Sequence, residues 1–177
     1  LGQLWYNSAS NVWKVGTVGA GAWAAGGTLN TPRPNNFTGA DGPTTATLAA
    51  GGGPSAPNFV ATEKYDGTSW TETGDSLPEG TNANALIGTQ TAALSVGGEP
   101  VPAGARTNIV NTYNGSNWTA GTSLSGTARN VMGKAGTQTA AFVFGGETVP
   151  QGEEQWNGTS WSETANMNSP RCQAGSG

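Results

Sequence analysis

Residues 136–161, GTQTAAFVFGGETVPQGEEQWNGTSW, decide the fold. A polar lead-in gives way to an apolar segment and a Gly-Gly pair. A loop follows, then an aromatic, an Asn-Gly turn and a tryptophan. The same order recurs upstream in residues 88–118, GTQTAALSVGGEPVPAGARTNIVNTYNGSNW, and, more diverged, in residues 42–70, GPTTATLAAGGGPSAPNFVATEKYDGTSW. Self-similarity at this period marks a repeat architecture and has to be read before any single element.

Within the unit, four short strands are expected. The first covers residues 130–134 and is polar. The second covers residues 137–144. Its run from Ala140 to Phe144 is continuous rather than alternating, as in a strand covered on both faces. Gly145 and Gly146 end it, as Gly97 and Gly98 do one unit earlier, where φ turns positive or a β-carbon has no room. The third strand covers residues 153–156. Asn157-Gly158 reads as a two-residue hairpin turn, and residues 160–164 form the fourth strand around Trp161. No segment has a 3.6-residue apolar period, so almost no helix is expected.

Outward from this unit, Trp23, Trp70, Trp118 and Trp161 serve as markers, roughly 45 residues apart. A leucine or methionine follows each: Leu29, Leu77, Leu124 and Met167. An arginine then follows in three units, Arg33, Arg129 and Arg171, whereas the second reads LPEGTNA from Leu77 and has none. The aromatic before each turn is Tyr65, Tyr113 or Trp156. Four strands per unit of this length is the signature of a propeller blade. A lone sheet cannot bury both faces, so the marker tryptophans and paired alanines are expected between neighbouring sheets. The fold expected is all-β, with about four blades of four antiparallel strands. Residues 1–22 are an N-terminal β-hairpin and connector, and residues 23–177 are repeats (23–69, 70–117, 118–160 and a partial 161–177). In the hairpin, Leu4, Trp5 and Tyr6 form one arm, Val12, Trp13 and Val15 the other, and residues 7–11 turn. Residues 171–177 align with 129–135 and stop before the buried strand. A fragment is therefore expected, with further blades or several chains completing the ring and hiding its strand edges.

Composition narrows the chemistry. Only 10% of residues are charged and the net charge is -4, which argues against nucleic acid and against charge-driven disorder. The 29 glycines suit short strands and tight turns. No run approaches the roughly 18 apolar residues of a membrane span. Cys172 is the only cysteine, an incidental or buried thiol that can form no intrachain disulfide. Histidine is absent, which removes Ser-His and Cys-His nucleophiles and His-ligated metals. No catalytic residue, metal site or cofactor is expected. Glu153-Glu154 is the one adjacent acidic pair. Successive strand residues point to opposite faces, whereas a glycosidase needs two carboxylates flanking one bond, so an exposed polar strand is expected. Gly51-Gly52-Gly53 lacks the lysine and helix of a phosphate loop. Arg33, Arg129 and Arg171 are expected to satisfy loop carbonyls; the alternative is a ring of positive charge near the axis. Asn36, Asn114, Asn117 and Asn157 head N-glycan sequons, and turn and strand chemistry also accounts for them.

The loops after each Gly-Gly, residues 54–62, 99–111 and 147–152, differ most between units. They are expected to project from one rim, where a rigid scaffold concentrates function. Trp5, Tyr6 and Trp13 lie outside the repeat. They are candidates for stacking on sugar rings, or else pack against the first unit or a partner chain.

The order Leu/Met, Arg, apolar strand, Gly-Gly, aromatic, Trp, here Leu124, Arg129, Gly145-Gly146, Trp156 and Trp161, resembles the kelch repeat. That resemblance implies a β-propeller like the central domain of galactose oxidase. The oxidase chemistry does not carry over, because its copper site uses histidines. The form GTQTAA(L/F)xxGG…YNGxxWT also resembles virion structural proteins of marine phages, cyanophages especially, and GQLWYNSASNVWKV resembles a hairpin preceding such repeats in tail-fibre-like proteins. The expected function is a non-enzymatic structural or adhesive protein of a virion appendage or cell surface. Its expected partners are other copies, neighbouring appendage proteins and host glycans. The alternatives are a carbohydrate-active enzyme or its carbohydrate-binding module, and a kelch-type scaffold that binds peptides.

Overall fold

A computed structural model describes residues 4–7, 12–15, 25–34, 39–52, 60–102 and 104–172, the first two segments as backbone. The described residues are all-β and contain no α-helix. Strands β1 (Leu4–Asn7) and β2 (Val12–Val15) form the N-terminal hairpin. The first repeat gives β3 (Thr47–Ala50), β4 (Thr62–Tyr65) and β5 (Trp70–Glu72), in the order β3-β4-β5. The second gives β6 (Thr81–Asn82), β7 (Ala85–Thr89), β8 (Ala92–Val96), β9 (Glu99–Pro100), β10 (Val110–Tyr113) and β11 (Trp118–Ala120). Its main sheet is ordered β11-β10-β8-β7, and β6 pairs with β9 separately. The third gives β12 (Gly133–Gly136), β13 (Ala141–Phe144), β14 (Glu153–Trp156) and β15 (Trp161–Glu163), in the order β12-β13-β14-β15. Every pairing is antiparallel.

Register confirms that the units are equivalent. Tyr65 pairs with Trp70, Tyr113 with Trp118 and Trp156 with Trp161. Each pair packs its rings across the strands, with centroids at 5.1, 4.7 and 5.4 Å, the middle pair stacked and the other two tilted. Cross-strand aromatic pairs of this kind stabilise a sheet beyond their buried area. Trp23 lies outside the described residues. In β1–β2, Tyr6 pairs with Trp13 as Tyr113 does with Trp118. The backbone register of the hairpin is thus that of a repeat's last two strands.

Several strand boundaries differ from expectation. In the third unit the first strand begins at Gly133 rather than residue 130, and residues 137–140 form a turn closed by Thr137 N–H donating to Ala140 C=O at 2.8 Å. The preceding step is bent: Ala83 and Val131, at the same place in units two and three, have φ of 55° and 42°, uncommon for residues with a β-carbon. The Asn157-Gly158 turn is a four-residue loop, not a two-residue one. Asn157 Oδ1 accepts the N–H groups of Thr159 and Ser160, both at 2.9 Å. Asp66 and Asn114 cap their loops in the same way. A side chain that replaces backbone acceptors makes the longer loop cheap.

The core lies between sheets, in two clusters. Leu48 and Ala50 of the first sheet meet Leu86, Ala93, Tyr113 and Trp118 of the second. Leu94, Val96 and Val110 of the second meet Ala141, Val143, Trp156 and Trp161 of the third. Leu48, Leu94 and Val96 are fully buried, each contributing about 1.5–3 kcal/mol. The apolar run of β13 does not behave as expected: Ala141 and Val143 are buried, but Phe142 and Phe144 are half-buried and Ala140 is exposed. Only the face turned to the second sheet has a neighbour among the described residues.

Candidate functional site

Two backbone joints repeat along the stack, and both rest on Gly-Gly. The N–H of the first glycine turns inward within its own repeat, Gly97 to Ile109 C=O at 2.9 Å and Gly145 to Gly152 C=O at 2.8 Å. The second glycine reaches the next repeat, Gly52 to Thr81 C=O at 2.8 Å, Gly98 to Arg129 C=O at 2.9 Å and Gly146 to Arg171 C=O at 2.9 Å. Gly98 has φ +103°, and a β-carbon there would stand 2.5 Å from Thr81 Oγ1 and 2.6 Å from Asn82 C=O. Glycine is required by both conformation and space. A third joint comes from the turn glutamines. Gln90 donates to Thr47 and Tyr65 carbonyls, and Gln138 to those of Ala93 and Tyr113.

Arg33 and Arg129 bind loop carbonyls as expected, but they also have partners the sequence reading missed. Arg33 donates to Gly51 and Ala61 C=O, and Arg129 to Gly152 C=O. Arg33 also pairs with Glu63 at 3.0 Å and Arg129 with Glu154 at 2.9 Å, with all four side chains at most 2% exposed. The two charges cancel, so neither arginine contributes to a ring of free positive charge. Burial pulls the Arg129 guanidinium below its usual pKa, and the carboxylates of Glu154 and Glu163 oppose that shift. Each glutamate also takes loop donors: Asn30 and Thr31 N–H on Glu63, Ser125 N–H and hydroxyl on Glu154. Glu154 is thus buried and structural, not part of an exposed polar strand. In the second repeat Thr81 stands at the arginine position and Asn111 at the glutamate position, so the whole ion pair is replaced. Arg171 is exposed, as is the free thiol of Cys172, the incidental rather than the buried of its two expected readings.

The second and third loops after Gly-Gly are fastened to one another. Arg106, in the second loop, donates to Asn130 Oδ1 at 3.0 Å and to Glu147 of the third loop at 2.5 Å. Asn130 donates in turn to Glu99 at 2.6 Å. The bonds from Arg106 and Asn130 hold the Glu147 carboxyl below the usual range. Part of the second loop is strand, because Glu99 pairs with Asn82 and Pro100 with Thr81. In the first loop, residues 53–59 lie outside the described residues.

The third loop borders a cleft of about 360 Å³. Thr148, Gln151, Glu153, Glu163, Thr164 and Asn166 supply its polar wall, with Arg129 at its base. Its backbone is pinned: Met167 N–H bonds to Gln151 C=O and Arg171 N–H to Pro150 C=O. Arg129 Nε is buried there without a partner. Glu163 reaches this cleft because β15 pairs with β14, Glu163 opposite Glu154. That is a signal hairpin register could have supplied. The cleft wall contains no aromatic ring. The side chains of Trp5, Tyr6 and Trp13, the expected sugar-stacking residues, lie outside the described residues, and the backbone places all three on β1 and β2. The cleft's chemistry is that of hydrogen-bond donors and acceptors around two carboxylates, suited to a hydroxyl-rich or amine-bearing ligand.

No family model matches the chain, and no curated protein matches it. Among the described residues no helix is long and apolar enough to cross a membrane.

Proposed function

We propose that this chain is a non-enzymatic structural and adhesive protein of a virion appendage or cell surface, whose sheets are blades of a kelch-like propeller and whose post-Gly-Gly rim binds host glycans. The radial arrangement is supported by Lys134 of β12, which is 1% exposed and pairs with Asp41 in the segment ahead of β3, so the first strand of the third sheet lies close to the lead-in of the first. The adhesive role rests on one observation, the polar cleft at the rim, held by a loop whose backbone is fixed at both Gln151 and Pro150. Rigid scaffolds that hold polar loops lose little entropy when they bind. The likeness of the GTQTAA and YNGxxWT segments to phage virion proteins points the same way.

Glycan-array binding by the purified chain tests the proposal. A subset of glycans should bind, and Glu163→Gln or Gln151→Ala should abolish that signal while the far-UV spectrum is retained. A blank array from a folded chain would remove the adhesive role and leave a structural one.

A second reading has one observation in its favour: Glu153 and Glu163 line the same cleft, as an acid and its partner carboxylate would in a glycoside hydrolase. Release of reducing ends from a polysaccharide, lost in Glu163→Gln, would favour it over adhesion.

A further inference from the structure

The outer face of the third sheet has the same layout as the face by which the second sheet holds the third, but it is only half covered. Leu94 and Val96 of β8 are fully buried in the joint with the third sheet. Phe142 and Phe144 occupy those positions on β13, rest against each other at 5.5 Å, and stay half-buried. At the other end of the stack, Tyr65 and Trp70 occupy the positions of the buried pairs Tyr113–Trp118 and Trp156–Trp161, and they too are half-buried. One end therefore carries the apolar half, and the other end the aromatic half, of a joint the chain makes twice internally.

We propose that a second copy of the chain seats the Tyr65–Trp70 face of its first sheet on Phe142 and Phe144, head to tail, continuing the stack. The two surfaces differ, so the contact is heterologous and leads to a ring or a longer series rather than a face-to-face pair. The two phenylalanines are larger than the Leu-Val set of the internal joint and offer more apolar area to cover. Thr44 stands where Gln90 and Gln138 stand in later repeats, so this joint lacks the glutamine link and depends on apolar contact. Association should therefore depend on concentration. The proposal stands on the packing of the sheets and is independent of any glycan.

Sedimentation and native mass spectrometry across the micromolar range test it. The mass should rise from 17.8 kDa to multiples of that value. Phe144→Glu would put an unpaired charge in the joint, and the apparent association constant should fall at least about tenfold with the far-UV spectrum of the folded chain retained. A wild-type chain that stays monomeric throughout, or a folded Phe144→Glu chain that associates like wild type, would overturn the proposal. Direction has its own test. Lys64 Nζ reaches Gly115 C=O at 2.7 Å in the internal joint. Gln155 stands at the Lys64 position, and Thr68 follows Gly67, which stands at the Gly115 position. With Cys172→Ser in place, Gln155→Cys combined with Thr68→Cys should be joined between copies by a bifunctional thiol reagent long enough to replace the lysine side chain. A link formed by Gln155→Cys alone would mean face-to-face packing and would refute the head-to-tail arrangement.

Discussion

Trp118 Nε1 donates to Thr62 Oγ1 of the preceding sheet at 3.0 Å, whereas Trp161, in the same place one repeat later, has a buried Nε1 with no partner. The residue at the Thr62 position in the second repeat is Val110, a member of the same core cluster as Trp161. Successive joints share geometry but not polar chemistry. Val110→Thr should give the Trp161 indole an acceptor and stabilise the chain by about 1 kcal/mol. Thr62→Val should leave the Trp118 N–H unsatisfied and cost about 1–3 kcal/mol. Urea denaturation of the two variants checks both signs, and a destabilising Val110→Thr would mean that the valine's packing outweighs the bond.

The Arg129–Glu154 pair can be tested with the solution the second repeat already uses. Arg129→Thr alone strands a buried carboxylate and should cost about 3–5 kcal/mol. The double change Arg129→Thr with Glu154→Asn copies Thr81 and Asn111 and should recover most of that loss, to within about 2 kcal/mol of wild type. A double-mutant cycle by denaturant titration reads the coupling. Additive losses would show that the two residues do not act as a unit.

Glycine requirements should separate cleanly. Gly98→Ala places a β-carbon against Thr81 and Asn82 at positive φ and should cost about 3 kcal/mol or more. Gly74 also has positive φ, +73°, but no atom lies within 4 Å of a β-carbon built there. Gly74→Ala should therefore cost only the conformational penalty of about 1–2 kcal/mol. Thermal melts of the two variants give the comparison directly.

Tyr113 sets an alkaline limit. It is fully buried, and its hydroxyl donates to Asp75 Oδ2 at 2.7 Å. Burial first, then the Asp75 bond and charge, push the phenol above its ordinary value of 10.0. A pKa raised by folding contributes stability that is fully present below the unfolded value and lost as pH rises beyond it. The melting temperature should hold up to about pH 10 and fall above it. Tyr113→Phe should lower stability at neutral pH by about 1 kcal/mol and flatten the alkaline decline. Melts taken from about pH 8 to about pH 11 test this.

Repetition made the strands, the Gly-Gly ends and the aromatic partners legible, because each copy reports on the same local chemistry. Single residues read less well. Glu154 looked like half of an exposed acidic pair, since nothing local to it signals an arginine 25 positions earlier on a different element. The cleft was hidden for the same reason. Glu163 comes beside Glu154, and so into the cleft, only through strand register, and the loop at residues 147–152 takes its shape from bonds to residues 167 and 171.

Sequence alone determined the all-β class, the period and the glycine positions. Turn conformation, steric room and strand alternation act over a few residues, so they are written in order along the chain. Tertiary structure alone decided which polar groups are paired, which loop forms a cleft and which face is left half open. Those outcomes depend on what an adjacent sheet supplies, a Thr62 or a Val110, a glutamate or an asparagine. The neighbour that supplies it lies tens of residues away.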